Sequence, residues 1–417
     1  MKKLWSLDYI RVKDNIKELV TLFYLLGLLL LGLVMQAPSE LLEGLKTILT
    51  TEGLLISDYM EIGGVGPTLV NGSIVGLIGY SLVKLSKVTF NGPILAALFT
   101  MVGFGFFGKN IYSVLPIIAG VFVYSRIRKE SFKTFLLPAL FGTALAPLVT
   151  QIIFGFGWGV LPGVFFGILA GIIVPPLASH LLKTHNGFNI YNIGFTAGFV
   201  GLLFTSILRS FGHDSQAVLY WGEDFNTISI AIFGTMFISM IIIGIALNKG
   251  KLRDYLEIVK HPGTLATDFV SLGGFANSLM NMGFVGVIGI SYVLMVGGDL
   301  NGPTIGGLMT MVGFAAFGKH PKNITPIMLG VFLGTLVTSF EANQPGPILA
   351  ALFGTTLAPL AGQYGPAIGV LAGFVHLSVV TNVGVLHGGV NLYNNGFSGG
   401  FVAIIFVALL GAFKNNR

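Results

Sequence analysis

The chain carries one segment twice, as NGPILAALFTMVGFGFFGK at residues 91–109 and as NGPTIGGLMTMVGFAAFGK at residues 301–319. Matches extend outward from it. Upstream, Asp58 matches Asp268 at the same offset of 210. Downstream, residues 140–148 match 352–360 at an offset of 212, and a His-x3-Asn-x-Tyr-Asn-x-Gly-Phe motif at 185–195 returns at 387–397. Matches in several blocks, separated by loop-sized slips, predict a duplicated chain.

The composition indicates a membrane protein. Hydrophobic residues make up 53% of the 417 residues and charged residues only 10%, whereas soluble domains carry about 25% charged residues. The 59 glycines allow membrane helices to approach closely. Because there is no cysteine, disulfides and thiolate metal sites are excluded. We therefore expect an all-α, polytopic transmembrane helical bundle without a cofactor.

Each half contains seven apolar segments, named A to G. In the first half they are Leu19–Gln36, Pro67–Leu85, Pro93–Phe107, Val114–Arg126, Phe135–Phe154, Trp158–Ala178 and Ile190–Arg209. In the second half they are Thr227–Leu247, Phe275–Met295, Pro303–Phe317, Ile324–Phe340, Pro347–Gln363, Pro366–Val380 and Leu392–Phe413. Each half crosses seven times if every segment spans, or five times if C and D form a re-entrant hairpin. Both numbers are odd, so we predict inverted transmembrane repeats at 1–210 and 227–417, joined by a loop at 211–226.

The distribution of charge gives a second test of this topology. With the N-terminus inside, the segments predicted to face inward hold 18 of the 23 Lys and Arg residues. The first outer loop instead holds five acidic residues and a single Lys46. This agrees with the positive-inside rule, so the net charge of +6 reflects topology and not a nucleic-acid partner. We expect a multi-pass protein of the bacterial inner membrane with both termini cytoplasmic.

Segment C is the first candidate for a functional element, because broken helices at matching positions of inverted repeats mark transport sites. Asn91 and Asn301 can cap the start of each short helix, and Pro93 and Pro303 fit its first turn. The free N–H groups at such a start can meet an anion or a carbonyl oxygen. Alternatively, Asn-Gly-Pro is a simple turn between membrane helices.

Matched polar residues in apolar surroundings supply further candidates. Lys109 and Lys319 are site candidates at membrane depth, or they extend to opposite surfaces after segment C. Segment E is interrupted by Pro and Gly in both halves, and its polar residues either line a cavity or form helix-packing hydrogen bonds. These residues are Thr143, Gln151, Thr355 and Gln363.

The remaining candidates lie near the ends of segments. The Asn and Tyr side chains of the repeated His-x3-Asn-x-Tyr-Asn-x-Gly-Phe motif either bind solute or belong to a turn at the membrane surface; they include Tyr191, Asn192, Tyr393 and Asn394. Asp58 and Asp268 are the symmetric acids available for coupling to protons or sodium. His376 has no counterpart in the first half, and we expect it to be a packed, hydrogen-bonded neutral histidine.

The Asn-Gly-Pro, Met-Val-Gly-Phe, Phe-Gly-Lys and Tyr-Asn-x-Gly-Phe blocks resemble those of a bacterial family of duplicated integral membrane proteins of unknown function. No activity comes with that resemblance. The plan of two inverted halves with a short helix in each is also similar to that of urea transporters, although Gly92 and Gly302 separate the Asn from the Pro. This second resemblance implies architecture only: a solute path through each protomer and a homo-oligomer such as a trimer.

The sequence therefore predicts a channel or facilitative transporter for a small polar solute, neutral or anionic, and not an enzyme. Its path is expected between the repeats, with membrane lipid as the surrounding partner. One alternative is a proton- or sodium-coupled secondary transporter. The other is a non-transporting membrane scaffold or a lipid-handling protein.

Overall fold

A computed structural model describes residues 12–215, 218–265 and 267–414. It is 75% helix, as expected of a chain that must satisfy its backbone N–H and C=O groups without water. The basic residues at 1–11 and the last residues, 415–417, were both expected in the cytoplasm, and they lie outside the described part.

The first half forms nine helices in the described part of the chain. They are α1 (Asp14–Val34), α2 (Pro38–Thr50), α3 (Tyr59–Gly63), α4 (Val65–Leu85), α5 (Gly92–Phe104), α6 (Ile111–Ile127), α7 (Phe132–Gly155), α8 (Val160–Leu181) and α9 (Asn192–Ser210). Within α7, 3-10 geometry at Thr143–Leu145 interrupts the helix and π geometry at Gln151–Gly155 ends it.

The second half repeats this order. Its described helices are α10 (Asn226–Leu247), α11 (Arg253–Ile258), α12 (Phe269–Gly273), α13 (Phe275–Met295), α14 (Gly302–Gly313), α15 (Pro321–Thr335), α16 (Pro345–Tyr364), α17 (Pro366–Val383) and α18 (Asn394–Lys414). Each is the counterpart of the helix nine places earlier. The break in α7 has its equivalent in α16, at Thr355–Leu357.

Ten of the described helices are long and apolar enough to cross a membrane, five in each half. The predicted polytopic helical fold is confirmed. Helix α5 has 13 residues and α14 has 12, so each reaches only about 20 Å at 1.5 Å per residue. Each short helix ends inside the bundle and is followed by a tight turn and then α6 or α15. Segments C and D thus form a hairpin in each half, which leaves five long helices per half. Because five is an odd number, this favours a second half that is inverted relative to the first.

Four helices lie outside the predicted segments: α2, α3, α11 and α12. Helix α3 is separated from α4 by Gly64, whose φ is +91°, and α12 is separated from α13 by Gly274, whose φ is +82°. L-residues rarely adopt this backbone conformation. Gly63-Gly64 and Gly273-Gly274 occupy matching positions in the two halves. Each pair therefore forms a kink that ends a short helix just before a long one.

The core lies around α5 and α14, which pack side by side and antiparallel. A Cβ atom on Gly103 would lie 2.7 Å from the Gly306 carbonyl oxygen, so the two backbones touch there. Helices α7 and α16 surround this pair, since 83% of each apolar window is buried. For α1 and α10 the buried share is 28%, which places them on the lipid-facing side.

Candidate functional site

Each half supplies an aspartate to the short helix of the other half. Asp58 accepts hydrogen bonds from the N–H groups of Met60 at 2.9 Å and of Gly302, the first residue of α14, at 3.0 Å. Asp268 accepts at 2.9 Å from Val270 and from Gly92, the first residue of α5. A carboxylate at a helix N-terminus satisfies orphan donors and the helix dipole together.

The asparagines predicted to cap these helices do so. Asn91 accepts a hydrogen bond from the Ile94 N–H at 3.1 Å, and Asn301 accepts one from the Thr304 N–H at 3.2 Å. With the aspartates also in place, the N-terminal donors are already used. The N–H groups at the start of segment C thus meet an anion, as expected, and this anion is a carboxylate of the other repeat.

Lys109 and Lys319 are fully buried at the turns after α5 and α14. The interpretation that they extend to opposite surfaces is wrong. Lys109 donates to the Thr143 hydroxyl at 2.7 Å, and Lys319 donates to the Thr355 hydroxyl at 2.6 Å and to the Tyr191 hydroxyl. The short helices stop within the bundle, so their end points lie at the centre rather than at a surface.

Two matched asparagines on the long helices fix the lysine turns. The Asn71 amide donates to the carbonyls of Gly105 at 2.7 Å and Lys109 at 2.8 Å. Asn281 donates to Ala315 at 2.7 Å and to Lys319 at 2.6 Å. We infer from the repeated geometry that both asparagines position the lysines. Their place in the duplicated blocks was the signal that could have added them to the candidates.

A row of aromatic rings joins the two lysines across the pseudo-two-fold axis. Tyr191 and Tyr393 lie at its centre with ring centroids 5.0 Å apart. Each packs edge to face on a phenylalanine of the other half at 4.6 Å, Tyr393 on Phe104 and Tyr191 on Phe314. Lys109 lies 4.8 Å from the Phe104 ring, and Lys319 lies 4.3 Å from the Tyr191 ring. The two phenylalanines were absent from the predicted site, whereas the two tyrosines belong to the motif whose Asn and Tyr side chains were candidates to bind solute.

The breaks in α7 and α16 also contact the opposite half. The Ala144 carbonyl accepts from the Leu392 N–H at 3.1 Å, and the Thr356 carbonyl accepts from the Ile190 N–H at 3.2 Å. At these two positions a backbone N–H group of the opposite half satisfies the carbonyl. The same breaks place Thr143 and Thr355 beside the lysines.

A cavity of about 440 Å³ reaches the aromatic row from one side. Tyr191, Tyr393 and Phe314 form its inner end, and Pro93 and Asp268 lie on its wall. Most of the remaining lining is apolar, contributed by α7, α8 and the segment leading into α9. A cavity with a few polar groups on an apolar wall is typical of a site for a small molecule.

The related position on the other side is covered by the linker between the repeats. Asp58, the counterpart of Asp268, accepts a hydrogen bond from the Gly222 N–H at 3.0 Å. The Asn301 amide donates to the Gly222 carbonyl at 3.0 Å, and Ser57 forms a parallel β-bridge with Tyr220. Burial raises the pKa of Asp58 to about 6, although the hydrogen bonds from the N–H groups of Gly222, Met60 and Gly302 oppose this rise. The two related positions thus differ, because the linker covers Asp58 whereas Asp268 borders the cavity.

The other predicted residues lie away from the lysines. Gln151 is buried near the end of α7, and Gln363 is exposed near the end of α16. Gln151 follows Thr143 by eight residues, and Gln363 follows Thr355 by eight residues, which is about 12 Å along a helix. The structure therefore does not bring them to the aromatic row.

The matched asparagines of the last segments join neighbouring helices. Asn192 bonds to His185 at 2.9 Å and to the Ala178 carbonyl at 3.1 Å, and it also contributes to the cavity wall. Asn394 makes the equivalent bonds to His387 and Val380.

The unmatched histidine of segment F is packed as expected. His376 is buried and bonds to Asn395 at 3.0 Å.

The fold and the buried polar centre define a polytopic helical membrane protein made of two copies of one unit. The chain belongs to the family described as a protein of unknown function, DUF1576, whose model matches residues 37–210 and again 247–412. No curated protein and no solved structure matches the chain. No similarity to urea transporters is shown.

Proposed function

We propose that this protein is a channel or facilitative transporter for a small polar solute, neutral or anionic. The observation that carries the proposal is the position of the cavity, which ends at Tyr191 and Tyr393 on the pseudo-two-fold axis. Lys319, which donates to the Thr355 hydroxyl, lies next to the Tyr191 ring, and Lys109, which donates to the Thr143 hydroxyl, lies next to the Phe104 ring. Solute sites of inverted-repeat transporters also lie near the bilayer midplane, at the interface of the repeats.

Conduction requires that the aromatic row permits passage. In the described conformation the rings of Tyr191, Tyr393 and Phe314 close the inner end of the cavity. These rings are fully buried or nearly so, and they contact one another across the repeat interface. We therefore assign them the role of a constriction that separates the two sides.

Flux into liposomes tests the proposal. Purified protein is reconstituted, and stopped-flow light scattering follows the entry of urea, glycerol, formate and acetate. We expect faster entry of at least one solute than in protein-free liposomes, and a further change in rate for Tyr191→Ala. The matched control is Tyr220→Ala, because Tyr220 is 49% exposed and lies in the linker.

Two outcomes would contradict the proposal. One is entry of every solute at the rate of protein-free liposomes. The other is entry that is identical in wild type and Tyr191→Ala, since removal of a constriction must alter the path. Binding of a lipid by protein that shows no flux would favour the non-transporting alternative.

Ion coupling is a second candidate, because Asp268 lines the cavity while it caps α5. It predicts uptake driven by an imposed proton or sodium gradient, and loss of that dependence in Asp268→Asn. The matched control is Asp214→Asn, since Asp214 is half-exposed and pairs with Arg209 at the surface. Equal uptake with and without each gradient would exclude coupling.

A further inference from the structure

The fully buried amino group of Lys319 has no anionic partner in the described structure. The five ion pairs of the described residues involve other side chains and lie at the surface. Two hydroxyls, of Thr355 and Tyr191, accept from its ammonium group. An ammonium group in a low-dielectric site is costly unless an opposite charge pairs with it.

The cavity brings a ligand to the ring next to this lysine. Tyr191 and Phe314 form the inner end of the cavity, and the Lys319 Nζ lies 4.3 Å and 5.6 Å from the centroids of these rings. A rotation of the Tyr191 side chain would therefore open a direct contact between the cavity and the ammonium group. Lys109 is equally buried, but its ring contact is with Phe104, which is not part of the cavity wall.

The carboxylate on the cavity wall does not serve as the missing partner. Asp268 forms no ion pair with Lys319 in the described structure, and its Oδ1 accepts from the N–H groups of Gly92 and Val270. Its Oδ2 accepts from the Ser271 hydroxyl at 2.5 Å. Both oxygens are thus committed to the starts of α5 and α12.

We infer that the cavity binds a small organic anion, with a carboxylate group that pairs with Lys319 and an apolar body that lies against the cavity wall. This inference rests on the proposed function, because it names the class of solute at that site. The apolar lining favours a carboxylate with a hydrocarbon body over an inorganic ion, since an inorganic ion gains nothing from apolar contacts.

Binding of benzoate to the purified protein tests this inference. Benzamide has nearly the same shape without the charge, and nitrate has the charge without the apolar body. We expect isothermal titration calorimetry to show benzoate binding at least tenfold more tightly than either. Equal affinity for benzoate and benzamide would overturn the inference, and so would tighter binding of nitrate. This comparison uses the wild-type protein and does not depend on the folding of a variant.

Two lysine substitutions locate the charge. Lys319→Met should weaken benzoate binding at least tenfold. Lys322→Met, the same change at an exposed position away from the cavity, should leave it within about twofold. Equal loss in Lys319→Met and Lys322→Met would overturn the assignment to Lys319.

Binding and flux separate this inference from the proposed function. Benzoate binding without flux of any solute would retain the anion site and refute transport. Flux of urea or glycerol without benzoate binding would retain transport and refute the anion site.

Discussion

Replacement of Gly92 by alanine should destabilise the fold, because Gly92 lies where the two halves touch. A Cβ atom at this position would lie 2.2 Å from the Ala316 carbonyl oxygen and 2.6 Å from the Asp268 Oδ1. Overpacking of this kind costs about 1–3 kcal/mol. Displacement of the carboxylate from the Gly92 N–H adds about 1.5–3 kcal/mol. We therefore expect a loss of roughly 2.5–6 kcal/mol in the free energy of unfolding.

The chain contains a matched control for this substitution. The sequence GPILAALF occurs at residues 92–99 and again, letter for letter, at 346–353. A Cβ atom on Gly346 would have no atom within 4 Å. Gly346→Ala should therefore be neutral or stabilising by up to about 1 kcal/mol, the helix propensity difference between the two residues.

Heating in detergent followed by size-exclusion chromatography measures the effect as the temperature at which half of the monodisperse protein is lost. We expect Gly92→Ala to lower this midpoint by several degrees and Gly346→Ala to leave it unchanged or raise it. Gly302→Ala should behave as Gly92→Ala does, because its Cβ would lie 2.4 Å from the Asp58 Oδ1. Equal midpoints for Gly92→Ala and Gly346→Ala would refute the cross-repeat contact.

Three further predictions concern the lysine turns, the topology and the linker. Asn71→Leu and Asn281→Leu should each lower the same midpoint, since each leaves two buried carbonyls unpaired at about 1–3 kcal/mol each; unchanged midpoints would contradict this role. Cysteines placed singly at Lys87 and Asp299 should react with an impermeant thiol reagent from opposite sides of the membrane, in a chain with no other cysteine; reaction from one side would refute inversion. The pKa of Asp58 is about 6 under the linker and should return toward 3.8 when the linker leaves. The covered state therefore binds the proton more tightly, and covering strengthens as the pH falls through about 6. Hydrogen exchange of residues 218–225, corrected for intrinsic rates, should be slower at pH 5.5 than at pH 7.5. Asp58→Asn should remove this difference, and its persistence in that variant would contradict the role of Asp58.

The fold was largely predictable, because the duplicated segments define the same helices in both halves. Segment B of the second half, Phe275–Met295, matches α13 at both ends. Helix α2 was missed because Pro38–Thr50 carries two glutamates and a lysine, and such a segment resembles a polar loop when only apolar spans are sought. Its counterpart α11 was missed for the same reason, because it is short and contains charged residues.

The site was predictable only in part, because its contacts cross between the halves. Lys109 and Lys319 were candidates, but their depth depends on whether segment C spans, which no single segment reveals. Tyr191 bonds to Lys319 across 128 residues of sequence. Periodicity and capping patterns report local structure and carry no information on such a pair. The duplication of both tyrosines was the signal available, and it did not say which partner each would meet.

The contacts exchanged between the halves are symmetric, and the linker accounts for the difference between the two sides of the protein. Asp58 caps the short helix of the second half, and Asp268 caps that of the first, so an isolated half would leave its helix start without this cap. Each half therefore completes the short helix of the other, and these exchanged contacts are symmetric. The linker breaks this symmetry, because a single linker can cover only one of the two related positions, the one at Asp58 or the one at Asp268. Through Gly222 it lies on the side of Asp58, and the cavity is found on the side of Asp268. The position of the single linker thus accounts for one difference between the two sides of the protein.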